Sequence, residues 1–242
     1  KKTGFIGEIK SIIPKQELRM GLNKHTNPVY KPLKLPDPKK FSEDSSKPGT
    51  IGSSSMRRAG VYLNEVFKIN KKNFRLFSPD ETYSNKLDEV FKTTKRAFVW
   101  PIKEWDKDIS RDGRVIEMLS EHCLQGITQG YILTGRHAVF ASYESFIEII
   151  GSMADQYAKF LNQSIQIPWR NDIPSFNYIL TSSGWRQEHN GFSHQNPTFI
   201  SNMLEKNGDF VKIYFPPDGN STLVVLKHCL ESKNRINVIV AG

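Results

Sequence analysis

The sequence predicts an α/β fold: a six-stranded, mostly parallel sheet with helices on both faces, preceded by an extended linker. Three observations predict it. Short apolar runs recur at 74–77, 114–119, 138–142, 176–181, 211–215 and 236–240. Several alternate too little to leave one face wet, which suits a sheet covered on both sides. Helical patterns fall between the runs, and strands alternating with helices imply right-handed crossovers and parallel pairing.

The elements follow in order. Residues 1–55 carry Pro28, Pro32, Pro36, Pro38 and Pro48, then a Ser/Gly-rich stretch, and show no sustained period. Eleven Lys/Arg against five Asp/Glu in residues 1–50 place most of the net charge of +9 there. The reading is a basic interdomain linker with little independent structure. A nucleic-acid or membrane-surface arm is the alternative, but interleaved aromatics and any known reader motif are missing. From Met56 a helix is expected, with Val61, Val66 and Phe67 apolar and Asn70 near its end. Phe146, Ile150, Met153, Tyr157 and Phe160 mark one face of a second helix. Phe199 and Met203 mark another, started by Asn196 as cap and Pro197 in the first turn. Leu223, Leu226 and Leu230 mark the last.

Composition narrows the class. An apolar fraction of 38% and an aromatic fraction of 11% support a core in 242 residues. The two cysteines, Cys123 and Cys229, suggest no disulfide framework and point to a reducing compartment. No apolar run reaches the ~18 residues a membrane helix needs, and no signal peptide is evident. The chain opens without Met and stops two residues after an apolar run, as if cut from something longer.

In a parallel sheet, ligands bind beyond the carboxyl ends of the strands. Glu81, Glu121, Tyr143, the segment 185–195 and Asp218 all follow strands and should gather on one edge. Thr134, Gly135 and Arg136 precede a strand and read as a structural turn on the opposite edge. Glu121 stands where strand gives way to helix. Partial desolvation there would raise its pKa and fit it for proton transfer; a helix-start Glu favoured by the dipole is the alternative. Gly126 and Gly130 inside the following helix cost up to about 1 kcal/mol each against Ala, which implies close packing against a neighbouring helix or a second subunit. Gln187, His189, Asn190 and His194 form a dense polar cluster suited to anion binding and proton transfer; a hydrogen-bonded loop is the alternative. His-Glu-x-x-His, Cys-x-x-Cys, Gly-x-Ser-x-Gly, the P-loop and Gly-x-Gly-x-x-Gly are all missing, so no metal site is expected in this chain.

Taken together, FRLFSPDETYSNKLDEVF (74–91), GRVIEMLSEHCLQG (113–126), GYILTGRH (130–137), SYESF (142–146), PWR (168–170), SSGWRQEHNGFSHQNP (182–197), YFPPDGN (214–220) and INVIVAG (236–242) resemble phosphoketolases. These are thiamine-diphosphate enzymes of sugar-phosphate metabolism. The resemblance covers about residues 56–242, and its combination of motifs is far more specific than any one of them. It implies a pyrimidine-binding domain at 56–242. The diphosphate-binding domain, with its Gly-Asp-Gly signature for Mg²⁺, and the C-terminal domain are expected outside this chain.

Carried over residue by residue, Glu121 matches the glutamate that hydrogen-bonds N1′ of the aminopyrimidine and favours the tautomer able to deprotonate the thiazolium. Glu81 matches a glutamate of the nearby network, and Tyr143 the ring bordering the aminopyrimidine. Ser84, Gln187, Asn190 and His194 match polar residues facing the reaction centre and its phosphate. The implied reaction is a lyase cleavage of xylulose 5-phosphate or fructose 6-phosphate with inorganic phosphate, giving acetyl phosphate and an aldose phosphate. The resemblance also implies a cytoplasmic homodimer, with no nucleic-acid or membrane partner, and a stretch inactive by itself. Glu188, Ala138 and residues 196–198 depart from the commoner pattern, which bears on substrate preference. A non-catalytic α/β association module and a transketolase-like domain are the other readings; the segment WRQEHNGFSHQ argues against the latter.

Overall fold

The computed structural model describes residues 4–13, 30–44, 46–47, 49–79, 82–168, 170–181 and 188–242. Eight strands form one sheet: β1 (Phe74–Ser78), β2 (Arg96–Ala97), β3 (Ile109–Ser110), β4 (Val115–Glu117), β5 (His137–Tyr143), β6 (Phe176–Thr181), β7 (Val211–Tyr214) and β8 (Ile236–Val240). Their order across the sheet is β3-β2-β4-β1-β5-β6-β8-β7. Every neighbouring pair is parallel.

All six expected strands are present, and the expected count is corrected to eight. The two additional strands, β2 and β3, are two residues long, too short for any periodicity to show in the sequence. They pack at one edge because Gly113 lets the chain before β4 press against β2. A Cβ on Gly113 would stand 2.3 Å from the Arg96 carbonyl carbon and oxygen. The run at 114–119 is extended only through Glu117; Met118 and Leu119 turn out to solvent, with Leu119 82% exposed.

Alternation within the strands feeds two apolar layers. Phe140, Phe176, Tyr178, Leu180 and Val238 face α3 (Glu121–Leu133), α4 (Gly151–Ser164) and α5 (Thr198–Leu204). Phe74, Leu76, Val139, Ala141 and Ile239 face α2 (Ser55–Ile69) and α6 (Gly219–Glu231). Helix starts follow local chemistry. Ser54 caps α2 and Ser120 caps α3, each side-chain oxygen accepting an N–H three residues on. Asp218, expected among the functional group, closes a capping box with Ser221 at the start of α6. The Asn196 carboxamide oxygen accepts the Thr198 N–H at 3.0 Å, but the cap of α5 is Pro197 rather than Asn196, so the helix begins one residue later than expected. Thr134 caps α3 and Gly135 adopts a φ of 81°, so the turn at 134–136 reverses the chain as a structural connection would. Cys123 is exposed and Cys229 buried, and both are free thiols. No described helix is long and apolar enough to cross a membrane.

Two stretches of the basic arm are more ordered than expected. Residues 4–12 form a short helix, α1, with Phe5, Ile6, Ile9 and Ile12 exposed. Their i, i+3/i+4 spacing was too brief to register as a period. From Tyr30 the arm runs extended along the α2/α6 layer, where Leu33, Leu35 and Phe41 pack. Asn70 receives the Lys34 N–H and donates to its carbonyl, and Arg58 pairs with Glu43 at 2.9 Å.

The buried His137 ring anchors this arm through Nε2 and the Lys31 carbonyl, 2.7 Å apart. Burial pushes the His137 pKa down from 6.5 to about 4, the Lys31 carbonyl opposing it. Between those values the unfolded chain binds the proton that the folded chain refuses, so stability falls as pH drops from 6.5 towards 4 and is retained above 6.5. The full shift is worth at most about 3 kcal/mol. Urea unfolding of wild type and His137→Leu across this range should show the steeper acid loss in wild type; parallel curves would remove His137 as its source.

Candidate active site

Four adjacent strands, β4, β1, β5 and β6, deliver their carboxyl ends to one edge of the sheet. Glu121 is the first residue of α3, four residues past the end of β4, and is half-buried. The first-turn position favours a carboxylate there. Tyr143 ends β5, and its ring lies 5.4 Å from Phe146 and 6.4 Å from His194. Phe146 meets the His194 imidazole edge-on at 4.9 Å. The imidazole is oriented a second time through Nδ1, which lies 2.9 Å from the Ser193 hydroxyl. That hydroxyl also donates to the Asn190 carbonyl at 3.4 Å, tying the two halves of the 188–194 turn together.

The turn after β1 brings Ser84 to the same edge, exposed, with Asn85 buried beneath it. Asn85 accepts the Thr181 hydroxyl, so this turn is tied to the end of β6. Glu117 secures the same turn from the other side. One of its oxygens accepts the Thr82 N–H at 3.3 Å, and the other pairs with Arg96. Arg96 in turn lies over the Phe91 ring at 4.4 Å and the Tyr83 ring at 5.1 Å. Tyr83 donates to Asp108, which also pairs with Lys95. The Lys95 and Tyr83 hydrogen bonds hold the Asp108 carboxyl below its usual range, and the Asp108 partnership pushes the Tyr83 phenol up.

The structure thus places Glu121, Ser84, Tyr143, Asn190 and His194 along one edge, and brings Tyr143 and His194 into one ring cluster. Glu81 and Gln187 lie outside the described residues. Phe146, Asn85, Glu117 and Arg96 were not anticipated. Phe146 was assigned to a helix face, and the partners of the others come from segments too short or too distant in sequence to signal one another. Two buried hydroxyls at this edge, Ser142 and Thr82, have no hydrogen-bond partner among the described residues, an arrangement that normally marks a missing ligand or water. The close backbone approach expected at Gly126 and Gly130 is not met among the described residues: a Cβ at either would find none of their atoms within 4 Å. Among the described residues no cluster of three metal-ligating side chains occurs.

The fold is shared with a class of solved proteins. The fold is that of a transketolase domain. A transketolase variant from Pichia stipitis, solved with fructose 6-phosphate, superposes with a TM-score of 0.63 at 17% identity, covering 86% of this chain and 28% of its own. The Campylobacter jejuni transketolase gives 0.59 at 18% identity, covering 98% and 32%. Sequence places the chain more narrowly. The profile of the D-xylulose 5-phosphate/D-fructose 6-phosphate phosphoketolase family matches residues 57–232, and the chain belongs to that family. A probable phosphoketolase of Bradyrhizobium diazoefficiens is 48% identical over 98% of the chain, and one of Gloeobacter violaceus 46% identical over 98%. The chain spans 30% of the length of each of these relatives.

Proposed function

We propose that the chain supplies the pyrimidine-binding half of a thiamine-diphosphate phosphoketolase. The reaction is cleavage of xylulose 5-phosphate, fructose 6-phosphate or both with inorganic phosphate, giving acetyl phosphate, an aldose phosphate and water. The observation that carries this reading is Glu121 at the first turn of α3, on one edge with the Tyr143–Phe146–His194 rings, in a chain of this family. The residues present fit the cofactor's aminopyrimidine. A carboxylate, flat aromatic faces and two unpaired buried hydroxyls match a planar heterocycle with ring nitrogens and an amine.

When bound, thiamine diphosphate supplies the carbanion and the electron sink that the side chains lack. Glu121 holds a proton at the ring nitrogen N1′. Tyr143 borders the ring face and helps exclude water. His194, fixed through Nδ1 by Ser193, keeps Nε2 to move a proton at the substrate. Asn190 and Ser84 present polar groups to the substrate oxygens and the incoming phosphate. Glu81 and Gln187 belong to the same network on this reading. Mg²⁺ and the cofactor's diphosphate are assigned to a domain outside these residues, so the 242 residues alone should turn over nothing. A cytoplasmic homodimer completes the reading, with the open Gly126/Gly130 face of α3 as its close contact.

The test is product analysis with the holoenzyme. Xylulose 5-phosphate and inorganic phosphate should yield acetyl phosphate, trapped as its hydroxamate, and none should form without phosphate. Two-carbon transfer to an aldose acceptor with no acetyl phosphate would establish the transketolase-like reading instead. Acetyl phosphate from the purified 242-residue chain would overturn the assignment of the diphosphate to another domain.

A further inference from the structure

A large cavity lies away from Glu121, at the amino ends of β1, β4 and β5. It has a volume of about 1110 Å³ and is walled by the end of α2 and by α3. Six cations line it, Lys68, Lys71, Lys72, Arg75, Arg114 and Arg136, against a single carboxylate, Asp112. Lys68 pairs with Glu65 outside that lining, and Asp112 accepts the Ser110 hydroxyl. Among the described residues, the other five cations have no carboxylate partner.

Their geometry is fixed nonetheless. Arg75 donates to the Gly113 carbonyl at 3.2 Å, and Arg114 to the Phe67 and Asn70 carbonyls at 2.9 and 3.0 Å. Arg136 donates to the Thr134 hydroxyl at 2.8 Å. Arg75 and Arg136 converge on the same ring, 5.7 and 5.9 Å from the centroid of Tyr131. The Tyr131 hydroxyl is buried, and the Arg75 guanidinium acts on it as a donor. Burial pushes its phenol up, while Arg75, Arg136 and Arg114 pull against that rise. Burial and the neighbouring Arg75 charge also weaken the hold of Arg114 on its proton, against the attraction of Tyr131 and Asp112.

Unneutralised like charges around one recess repel each other and lower stability; a bound anion reverses the sign of that term. Each guanidinium has five donors and spends only one or two on the protein. Forks held by backbone carbonyls with donors to spare match phosphate oxygens. We propose that this cavity binds a small, multiply charged phosphate anion, on the opposite edge of the sheet from the Glu121 site. The recess is of the size that takes small ligands, whereas a nucleic acid or a lipid surface would call for an open stripe of charge. Arg136, first read as part of a purely structural turn, is on this view also a ligand contact.

The experiment is calorimetric titration of the enzyme, with its cofactor bound, using pyrophosphate and tripolyphosphate; orthophosphate, a substrate of the proposed reaction, is left out. Keeping the cofactor bound fills any other diphosphate site. Saturable one-site binding that tightens with anion charge is expected. The double variant Lys71→Glu/Lys72→Glu, and separately Arg136→Ala, should each weaken it by about tenfold or more. Lys71, Lys72 and Arg136 are exposed, so neither variant should lower the melting temperature. Absence of saturable binding, as an acidic protein segment seated in the recess would produce, overturns the proposal. So does binding that both variants leave unchanged, which would put the anion elsewhere.

Discussion

Replacing Glu121 by glutamine should lower acetyl phosphate formation by the holoenzyme by about 10²–10⁴-fold, the range that a positioned proton donor or acceptor contributes. The substitution keeps size and polarity but leaves no ionisable carboxyl to share a proton at N1′. Stability should hardly move. Glu121 contributes to folding mainly through its first-turn position, a charge–dipole term of about 0.3–1 kcal/mol, and the Ser120 cap is untouched. For a domain of this size that is a melting shift of a few degrees, about 2–4 °C per kcal/mol. Turnover and thermal melting measured on the same preparation separate the two effects. Wild-type turnover in the variant would remove Glu121 from the mechanism, whereas loss of both turnover and cooperative melting would recast it as a folding residue.

The position of Glu121 is legible in the sequence because of where the sheet's information lies. β5, β6 and β8 are buried along nearly their whole length, so their apolar runs are continuous and readable. Once parallel order is inferred, every residue that follows a strand goes to one edge. Asp218 obeyed that rule, yet it is consumed as a helix cap, because position on an edge does not say what a side chain is bonded to. The links from Asn85 to Thr181, Glu117 to Thr82 and Phe146 to His194 were illegible for the same reason. They join segments far apart in sequence, and each partner taken alone has an ordinary local role. The basic recess escaped notice because Arg75, Arg114 and Arg136 come from three separate strand entries, while the visible charge excess sits in the N-terminal arm.

The core beneath the site can be probed through Tyr178. Its ring is fully buried on β6, stacked on Phe176 at 4.4 Å and edge-on to Phe199 at 5.3 Å. Its hydroxyl donates to the Gln125 side-chain oxygen of α3 at 2.9 Å. One residue therefore packs the larger apolar layer and fixes the helix that begins at Glu121. Tyr178→Ala should cost at least ~3–5 kcal/mol, the usual loss for a buried ring, and it also strands Gln125. Tyr178→Phe keeps the ring and unpairs the Gln125 oxygen, beside an amide nitrogen that already lacks a partner among the described residues, for a loss of about 1–3 kcal/mol. Urea unfolding should rank wild type above Tyr178→Phe and Tyr178→Ala last. If the hydroxyl also holds α3 in place, the phenylalanine variant should lose holoenzyme turnover at saturating substrate under conditions where it is fully folded. Equal stability of Tyr178→Phe and wild type would show that the Gln125 bond contributes nothing net, and unchanged turnover would show that packing alone positions Glu121.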